Sequence, residues 1–504
     1  MPLPIPLRRD GGLTLQEQIY RFIRDAVIAG TYREGLQLPS SRDLAQSLRV
    51  SRNTVVLAYD WLETEGYIEM RRGAGAFVRQ VLADEVDLGQ GVGGVGAAPA
   101  RLELAYPFRL PVLSRLRPRR PQFDFAYGRL DPRQFPLKLW RQLTLECLAH
   151  AERPLTEYVD QAGELAARQA VANHLATARG MVVTADQIVM TSGAQEALNI
   201  VSRLFVRPGV QVAVEDPCYA SAASLFRSYG AELAPIPVDE NGLVTDMLHV
   251  VSPALLYTTP SHQFPTGVVT SLERRQAVLA WAADRNVFVI EDDYDSEIIY
   301  DRPPMAALAA LDRNRRVIYV GSFSKTIGGG LRIGFLALPP ELCEPAIAVK
   351  SLSSYGVPWL EQAVIAGFLR EDRFRTYLRR MRNLYRARRD ALISVLAECF
   401  GDSLRISGQD SGLHLVATLG AELPDADTVA SIAATVGVGL YTPRGAGAID
   451  FAPLPGPERR LILGYGALTP EEIDSGIRRV ARTLATRAQG PLERDTLQRT
   501  ALPT

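Results

Sequence analysis

From about residue 122 to 486, short apolar runs of β type alternate with helical stretches. This alternation restricts the fold more than any other feature of the chain. The runs QIVMT, QVAVE, ALLYT, VFVIE and VIYVG are separated by segments with helical periodicity. Strands that alternate with helices build a parallel sheet with helices wrapped over it. A later part (SLRIS, GLHLVATL, VGVGLYT, RRLILGY), with helices between, reads as a smaller α/β lobe.

In such folds the chemistry gathers where strands end. Lys325 lies in GSFSKTIGGGLRIGF, just after the run Val317, Ile318, Tyr319, Val320. Asp292 closes an earlier run in IEDDYDSE, and Arg332 follows the lysine. A lysine, a carboxylate and an arginine in this order suit pyridoxal phosphate. The lysine forms an imine with its aldehyde, the carboxylate keeps its ring nitrogen protonated, and the arginine clamps its phosphate. In TSGAQEALNIVSRLF, Gly193, Ala194 and Gln195 stand between a strand and a helix, where backbone amides and the helix dipole favour an anion. Ser322 and Ser324 flank the lysine and can add phosphate bonds. Tyr219 falls on a βα loop where its ring can stack on the pyridine, and Tyr294 can donate to the ring oxygen. Taken singly each is an ordinary residue, since acids after strands are often structural ion pairs. Their joint order is what points to a cofactor. His262, in the loop TPSHQFPTG, is expected beside the site, and His414 in the core.

The first eighty residues read differently. LTLQEQIYRFIRDAVIAG has a helical period ending at Gly30. LPSSRDLAQSLRV follows with Ser40 or Ser41 as N-cap, and a second cap, Ser51, opens SRNTVVLAYDWLETEG. YIEMRRGAGAFV reads as two strands around a glycine turn. This is the order of a winged helix-turn-helix. Arg42, Arg49, Arg52, Asn53 and Thr54 fall near the turn and the start of the second helix of that pair. There they can reach phosphates and base edges of double-stranded DNA. Arg71, Arg72 and Gly73 form a basic wing tip narrow enough for a minor groove.

Composition sets outer limits. The 504 residues suffice for two or three domains. Lys plus Arg equals Asp plus Glu at 56 each, so net charge says nothing about partners. Four scattered cysteines, five histidines and no HExxH predict neither a metal site nor a disulfide framework. No apolar run reaches bilayer-spanning length and the start lacks a signal-peptide core, so a cytoplasmic protein without membrane contact is expected. Residues 1–79 are expected to form the DNA-binding domain and 80–121, with five arginines and no acid over 107–120, a flexible basic linker. The cofactor domain is expected over 122–486 and a disordered tail over 487–504.

LPSSRDLAQSLRVSRNTVVLAYDWLETEGYI and RRGAGAFV resemble the DNA-binding domain of GntR-family transcription regulators. Residues 122–486 resemble fold-type I aminotransferases. Together the halves resemble the MocR subfamily throughout, with SHQFPTG, IEDDYDSE and GSFSKT as family-typical strings. The resemblance implies Lys325 as the Schiff-base lysine, Asp292 as pyridine partner and Arg332 as phosphate ligand. It implies Arg444, in LYTPRGAG, as the binder of an effector carboxylate. It also implies Tyr158, in TEYVDQAGE, as a tyrosine reaching the phosphate of a neighbouring subunit, which would put the site at a dimer interface; the MocR resemblance further implies a head-to-tail homodimer, and a dimer an operator with paired half-sites. One position departs from the aminotransferases: Phe264 stands where their asparagine binds the ring oxygen. The implied function is a regulator that senses an amino compound, or pyridoxal phosphate itself, through the Lys325 imine. The alternative is a working aminotransferase with an appended DNA-binding domain.

Overall fold

Side-chain caps mark out the first helices. Helix α1 (Leu15–Ile28) opens on Thr14, whose hydroxyl accepts from the Glu17 amide, and α2 (Ser41–Leu48) opens on Ser40 in the same way. Helix α3 (Arg52–Thr64) is capped by Ser51, which accepts from the Thr54 amide. Each such cap contributes about 1 kcal/mol. Ile19, Ile23 and Val27 recur four apart on α1 and face Val55, Ala58, Tyr59 and Leu62 of α3 in one buried core. Between α2 and α3 the chain turns through Arg49 in the left-handed region, φ 52°. Strands β1 (Ile68–Arg71) and β2 (Gly75–Val78) pair antiparallel, with Arg71 opposite Gly75. The turn between them needs the positive φ of Gly73, 79°. The unit is thus a winged helix-turn-helix.

The structure is a computed structural model and describes residues 5–8, 12–79, 120–151, 155–301, 305–370, 372–452 and 458–488. The linker expected over 80–121 lies outside these residues except for its last two, as does the tail from 489 onward. The chain splits between residues 105 and 106 into two units.

The second unit is built on an eight-stranded sheet. Its strands lie side by side in the order Ile188–Thr191, Gly334–Ala337, Val317–Ser322, Phe288–Asp293, Leu255–Thr258, Gln211–Asp216, Glu232–Asp239 and Gly242–Leu243. The expected parallel sheet is in fact mixed. Gly334–Ala337 runs antiparallel to both its neighbours, and so does the edge strand Gly242–Leu243 to its one partner. The reason is chain length. Only residues 323–333 separate Ser322 from Gly334, too few for a helical crossover, so the strand must return antiparallel. The central strands are parallel and buried on both faces. Ile290 lies beside Tyr257 on one side and Ile318 on the other, and Asp292 lies beside Val320. Their carboxyl ends therefore open together at one edge, where open α/β sheets bind ligands.

The smaller lobe has a three-stranded antiparallel sheet, Leu404–Ser407, His414–Leu419 and Arg460–Gly464. Leu415, Ala417, Leu461 and Leu463 on it share a core with Ile473 and Ile477 of the helix Pro470–Ala488. The helix Arg373–Phe400 joins this lobe to the large one, and its Met381, Tyr385 and Leu392 are buried in the same core.

Candidate cofactor site and DNA-reading surface

A cavity of about 340 Å³ opens at the carboxyl edge of the large sheet. Asp292, at the end of Phe288–Asp293, lines it together with Lys325, Arg332 and Tyr294. Ser322, Ser324, Tyr219, Ala194 and Gln195 also line its wall, as expected. Gly193 lies directly beneath Arg332. Its φ of 91° lies in the left-handed region that favours glycine, and a Cβ there would crowd Nη2 of that guanidinium at 3.0 Å.

Asp292 is buried, and the Tyr257 hydroxyl donates to its Oδ2 at 2.8 Å. Its Oδ1 is buried with no partner among the described residues. Burial raises its pKa to about 7, opposed by the Tyr257 bond and reinforced by the charges of Asp293, Glu215 and Asp295. An unpaired carboxylate oxygen at the end of an aromatic cavity calls for a cationic N–H. A protonated pyridine nitrogen answers that need.

This shift has a sign that can be checked. The folded-state pKa of Asp292 lies above the ordinary value of 3.8, so the native protein holds a proton that the unfolded chain gives up. Cofactor-free protein should therefore lose stability as pH rises from about 4 to 7. Asp292→Asn should flatten that slope, and loading with pyridoxal phosphate should flatten it too. Urea unfolding at several pH values across this window measures it, and equal slopes for wild type and variant would show Asp292 already ionised.

Lys325 sits on a wide helical turn, Ser324–Gly328, in which the Gly328 amide reaches the Phe323 carbonyl five residues back at 3.2 Å. Such turns recur at functional sites. Its Nζ donates to the Gly128 carbonyl at 3.4 Å and lies 4.7 Å from the Tyr127 ring centroid. Burial lowers its pKa, offset by the carboxylates of Asp295 and Asp292. Of the chain's three lysines, Lys138 is exposed and Lys350 is bonded to Glu196 at 3.1 Å, so Lys325 alone reaches the cavity.

The opposite end suits a phosphate. Arg332, in the left-handed region at φ 53°, donates to the Ser192 carbonyl. The helix Ala194–Phe205 begins at Gly193 with no side-chain cap, and Ser322 Oγ lies 2.9 Å from Ser324 Oγ. The donor set, the uncapped helix start and the orphaned Asp292 oxygen fit pyridoxal phosphate.

Several residues of the wall were not anticipated. Tyr127 and Phe264 pack with their rings tilted by 36° and centroids 4.7 Å apart, and Tyr219 meets Phe264 edge-on at 5.8 Å. Phe264 thus replaces a polar donor with an aromatic wall. Tyr257 and Thr259 also line the cavity. Behind the wall, the His262 imidazole bonds Asp295 through Nδ1 at 2.9 Å, and Tyr294 Oη lies 3.2 Å from the same nitrogen. The only sequence signal for Tyr127 is its place in the aromatic segment FDFAYG. Asp295 lies within the acidic run IEDDYDSE, where nothing local distinguishes it from its neighbours.

Three expected residues stand elsewhere. His262 is buried behind Tyr294, off the cavity wall, because Asp295 holds it there. Arg444 is exposed on the short helix Pro443–Ala446, where Ala446 faces the cavity. Two helical positions turn a side chain about 200°, which points Arg444 away. Tyr158 is 88% exposed, its ring 5.1 Å from that of Tyr355, and is not part of this chain's cavity. His414 is buried as expected, with Nε2 3.2 Å from the Pro265 carbonyl.

On the first unit, Arg42, Arg52 and Asn53 are exposed at the first turns of α2 and α3. Arg52 Nε donates to Ser41 Oγ at 3.2 Å, and the Thr54 hydroxyl lies 2.8 Å from Ser51 Oγ within the cap. Arg71 lies over the Phe77 ring at 4.5 Å and pairs with Glu69. Arg72 and Gly73 stand exposed at the wing tip, and Arg72 has no side-chain partner among the described residues.

Comparison with known proteins agrees with this division. Residues 15–78 match the family of bacterial regulatory proteins of the gntR type, and residues 121–480 match aminotransferase class I and II. The probable rhizopine catabolism regulatory protein MocR of Rhizobium meliloti is 33% identical over 97% of this chain and 98% of its own length. The HTH-type pyridoxine biosynthesis transcriptional regulator PdxR of Corynebacterium glutamicum is 33% identical, covering 82% of this chain and 85% of its own. Among solved structures, the α-aminoadipate aminotransferase LysN of Thermus thermophilus superposes with a TM-score of 0.65 at 29% identity, over 72% of this chain and 92% of LysN. The chain belongs to the MocR-type transcription regulators, in which a GntR-family DNA-binding domain is joined to an aminotransferase class I and II domain.

Proposed function

We propose that the second unit of this regulator holds pyridoxal phosphate and that an amino compound, or the cofactor itself, is the signal. The observation that carries this reading is the unpartnered, buried Oδ1 of Asp292 in the same cavity as the one lysine that reaches it. Bound there, pyridoxal phosphate supplies an aldehyde that condenses reversibly with amines and a ring that absorbs visible light.

The chain's own residues then divide the work. Asp292 Oδ1 would accept a hydrogen bond from the protonated ring nitrogen, and Tyr257 fixes that carboxylate by donating to Oδ2. Arg332, Ser322, Ser324 and the amides after Gly193 would hold the phosphate. Tyr127, Tyr219 and Phe264 exclude water. The lowered pKa of Lys325 leaves its Nζ more readily neutral, hence nucleophilic. An amine effector would compete with Lys325 for that aldehyde, and a free Nζ would then be left facing the carboxylates of Asp295 and Asp292. The effector then biases the protein toward whichever arrangement accepts that released amine better, which is a shift by differential affinity.

We place the regulator in the cytoplasm as a homodimer. No described helix is long and apolar enough to cross a membrane. Exposed Tyr158 is accompanied by exposed Leu155, Leu352 and Tyr355, an apolar set that a second copy would cover. The DNA contacts fall to the exposed groups of α2, α3 and the wing. Arg72→Ala should weaken binding alike on operator and unrelated DNA and lower the log–log salt slope by about 1. An unchanged slope would remove Arg72 from the phosphate contacts.

The experiment that tests the function is an absorption titration of the full-length, cofactor-loaded protein with a panel of amino compounds. A visible band that shifts with one compound and stays shifted, together with altered operator binding, is the expected result. Absence of any band after loading overturns the cofactor reading. Steady turnover with a keto acid and no change in DNA binding overturns the sensing role.

A further inference from the structure

A groove of about 1060 Å³, larger than the cofactor cavity, lies between the helices Leu165–Arg179 and Arg373–Phe400. Its charge is lopsided. From Arg373 to Arg389 the helix carries eight arginines and not one acid. Arg388 and Arg389 are buried in ion pairs, but Arg375, Arg379, Arg382 and Arg386 follow one another at helical spacing along the groove. Four such positions span about 16 Å.

These guanidinium groups are poorly neutralised. Arg382 and Arg386 donate to the main-chain carbonyls of Glu297 and Tyr300, at 2.6 and 2.7 Å, and the one carboxylate near Arg386 among the described residues, Asp301 at 3.8 Å, is shared with Arg389. Arg375 pairs at 3.4 Å with Asp372, both exposed, which is worth little. Arg379 has no partner among the described residues, and Glu297 is engaged by His174 at 3.2 Å. The helix also begins badly for a basic sequence. Its first turn holds no acid, and Asp372 provides no side-chain cap. Arginines at the positive end of a helix dipole destabilise it, and an external anion reverses that cost.

An independent observation points inward. Ser296, on the loop after Phe288–Asp293, lines the groove, is 5% exposed, and its hydroxyl has no hydrogen-bond partner among the described residues. A buried hydroxyl without a partner is costly unless something enters to meet it. Duplex DNA lying along the rim cannot reach that depth, whereas a small phosphoryl group can. Residues 292–297 also connect the two cavities: Asp292 and Tyr294 line one, Ser296 and Glu297 the other.

We propose that this groove is a second ligand site, for a small organic phosphate carrying at least two ionised phosphoryl groups, with the arginine row binding the anion and Ser296 Oγ donating to it. Binding here does not depend on the sensing role of the cofactor cavity.

The test uses full-length protein loaded with pyridoxal phosphate, so that the Arg332 end is filled, and inorganic pyrophosphate as probe at fixed ionic strength. Calorimetry should show saturable binding and a raised melting temperature. Arg375→Ala with Arg379→Ala should weaken binding at least about tenfold. Ser296→Ala should weaken it about fivefold while leaving the ligand-free melting temperature equal or higher, because an unsatisfied hydroxyl has been removed. A merely structural serine would instead lower it. No binding by the wild type, or equal binding by the double variant, overturns the proposal. If the double variant keeps pyrophosphate but loses salt-dependent operator affinity, the groove serves the DNA backbone and the small-phosphate assignment is wrong.

Discussion

Lys325→Ala should abolish the visible absorption of cofactor-loaded protein and the response to effector, while DNA binding in the absence of effector persists. The loss should be complete rather than partial. The chain has only three lysines, and neither of the others can substitute. Lys350 is buried against Glu196 and Ser354, and Lys138 is exposed on another helix. The fold should tolerate the change, because Nζ makes a single long bond, 3.4 Å, to Gly128 and a buried amine is itself a burden. The reader should tolerate it too, since its core from Ile19 to Val78 is a cluster of its own. Lys350→Met is the matched control and should keep the band. Spectra and gel shifts on the two variants settle the matter. An unaltered effector response in Lys325→Ala would eliminate the lysine as the point of sensing.

The reader was almost wholly legible in the sequence because its signals are local. Ser40 and Ser51 cap the helices they precede, and Gly73 marks the wing turn. The strands of the large sheet were legible for the same reason, but their directions were not. Nothing within GFLA records that it runs against its neighbours; that follows from the short path through residues 323–333. Lys325, Asp292 and Arg332 could be found because each stands just beyond a readable strand. Tyr127 could not, since it meets Lys325 across about two hundred residues of chain. Tyr257 required the register that sets it beside Ile290, which brings its hydroxyl to Asp292. Arg444 was assigned by resemblance and His262 by its loop. The side-chain directions that decide whether either one meets a ligand belong to the tertiary structure.

Arg388→Met should cost the second unit about 3–5 kcal/mol, the largest single loss of stability expected here. Arg388 is buried at 2% side-chain exposure and Asp131 at 1%, and the two bond at 2.6 Å. The same guanidinium donates to the Gly466 carbonyl, so one side chain ties together the entry segment, the long helix and the smaller lobe. Replacing both charges with well-packed apolar groups would be mild, but removing the arginine alone leaves Asp131 buried with only the half-exposed Arg133 beside it. In the native protein burial pushes the Asp131 carboxyl up, and hydrogen bonds from Arg133 and Arg388 outweigh it, holding the pKa below its ordinary value. A lowered carboxylate pKa stabilises the fold above the unfolded value, near 4, and that contribution fades as pH falls through the folded one. Without Arg388 the burial effect gains the upper hand, so Asp131 can take up a proton at a higher pH than in the wild type. The deficit of Arg388→Met should therefore be full at neutral pH and shrink in acid. Arg388→Met with Asp131→Asn should be less destabilised than the two single changes added together. Urea unfolding at neutral and acidic pH, followed by the fluorescence of Trp140, Trp281 and Trp359, measures all four proteins. Strict additivity, or a single-variant loss below about 1 kcal/mol, would mean that the pair is no more than a surface-like contact despite its burial.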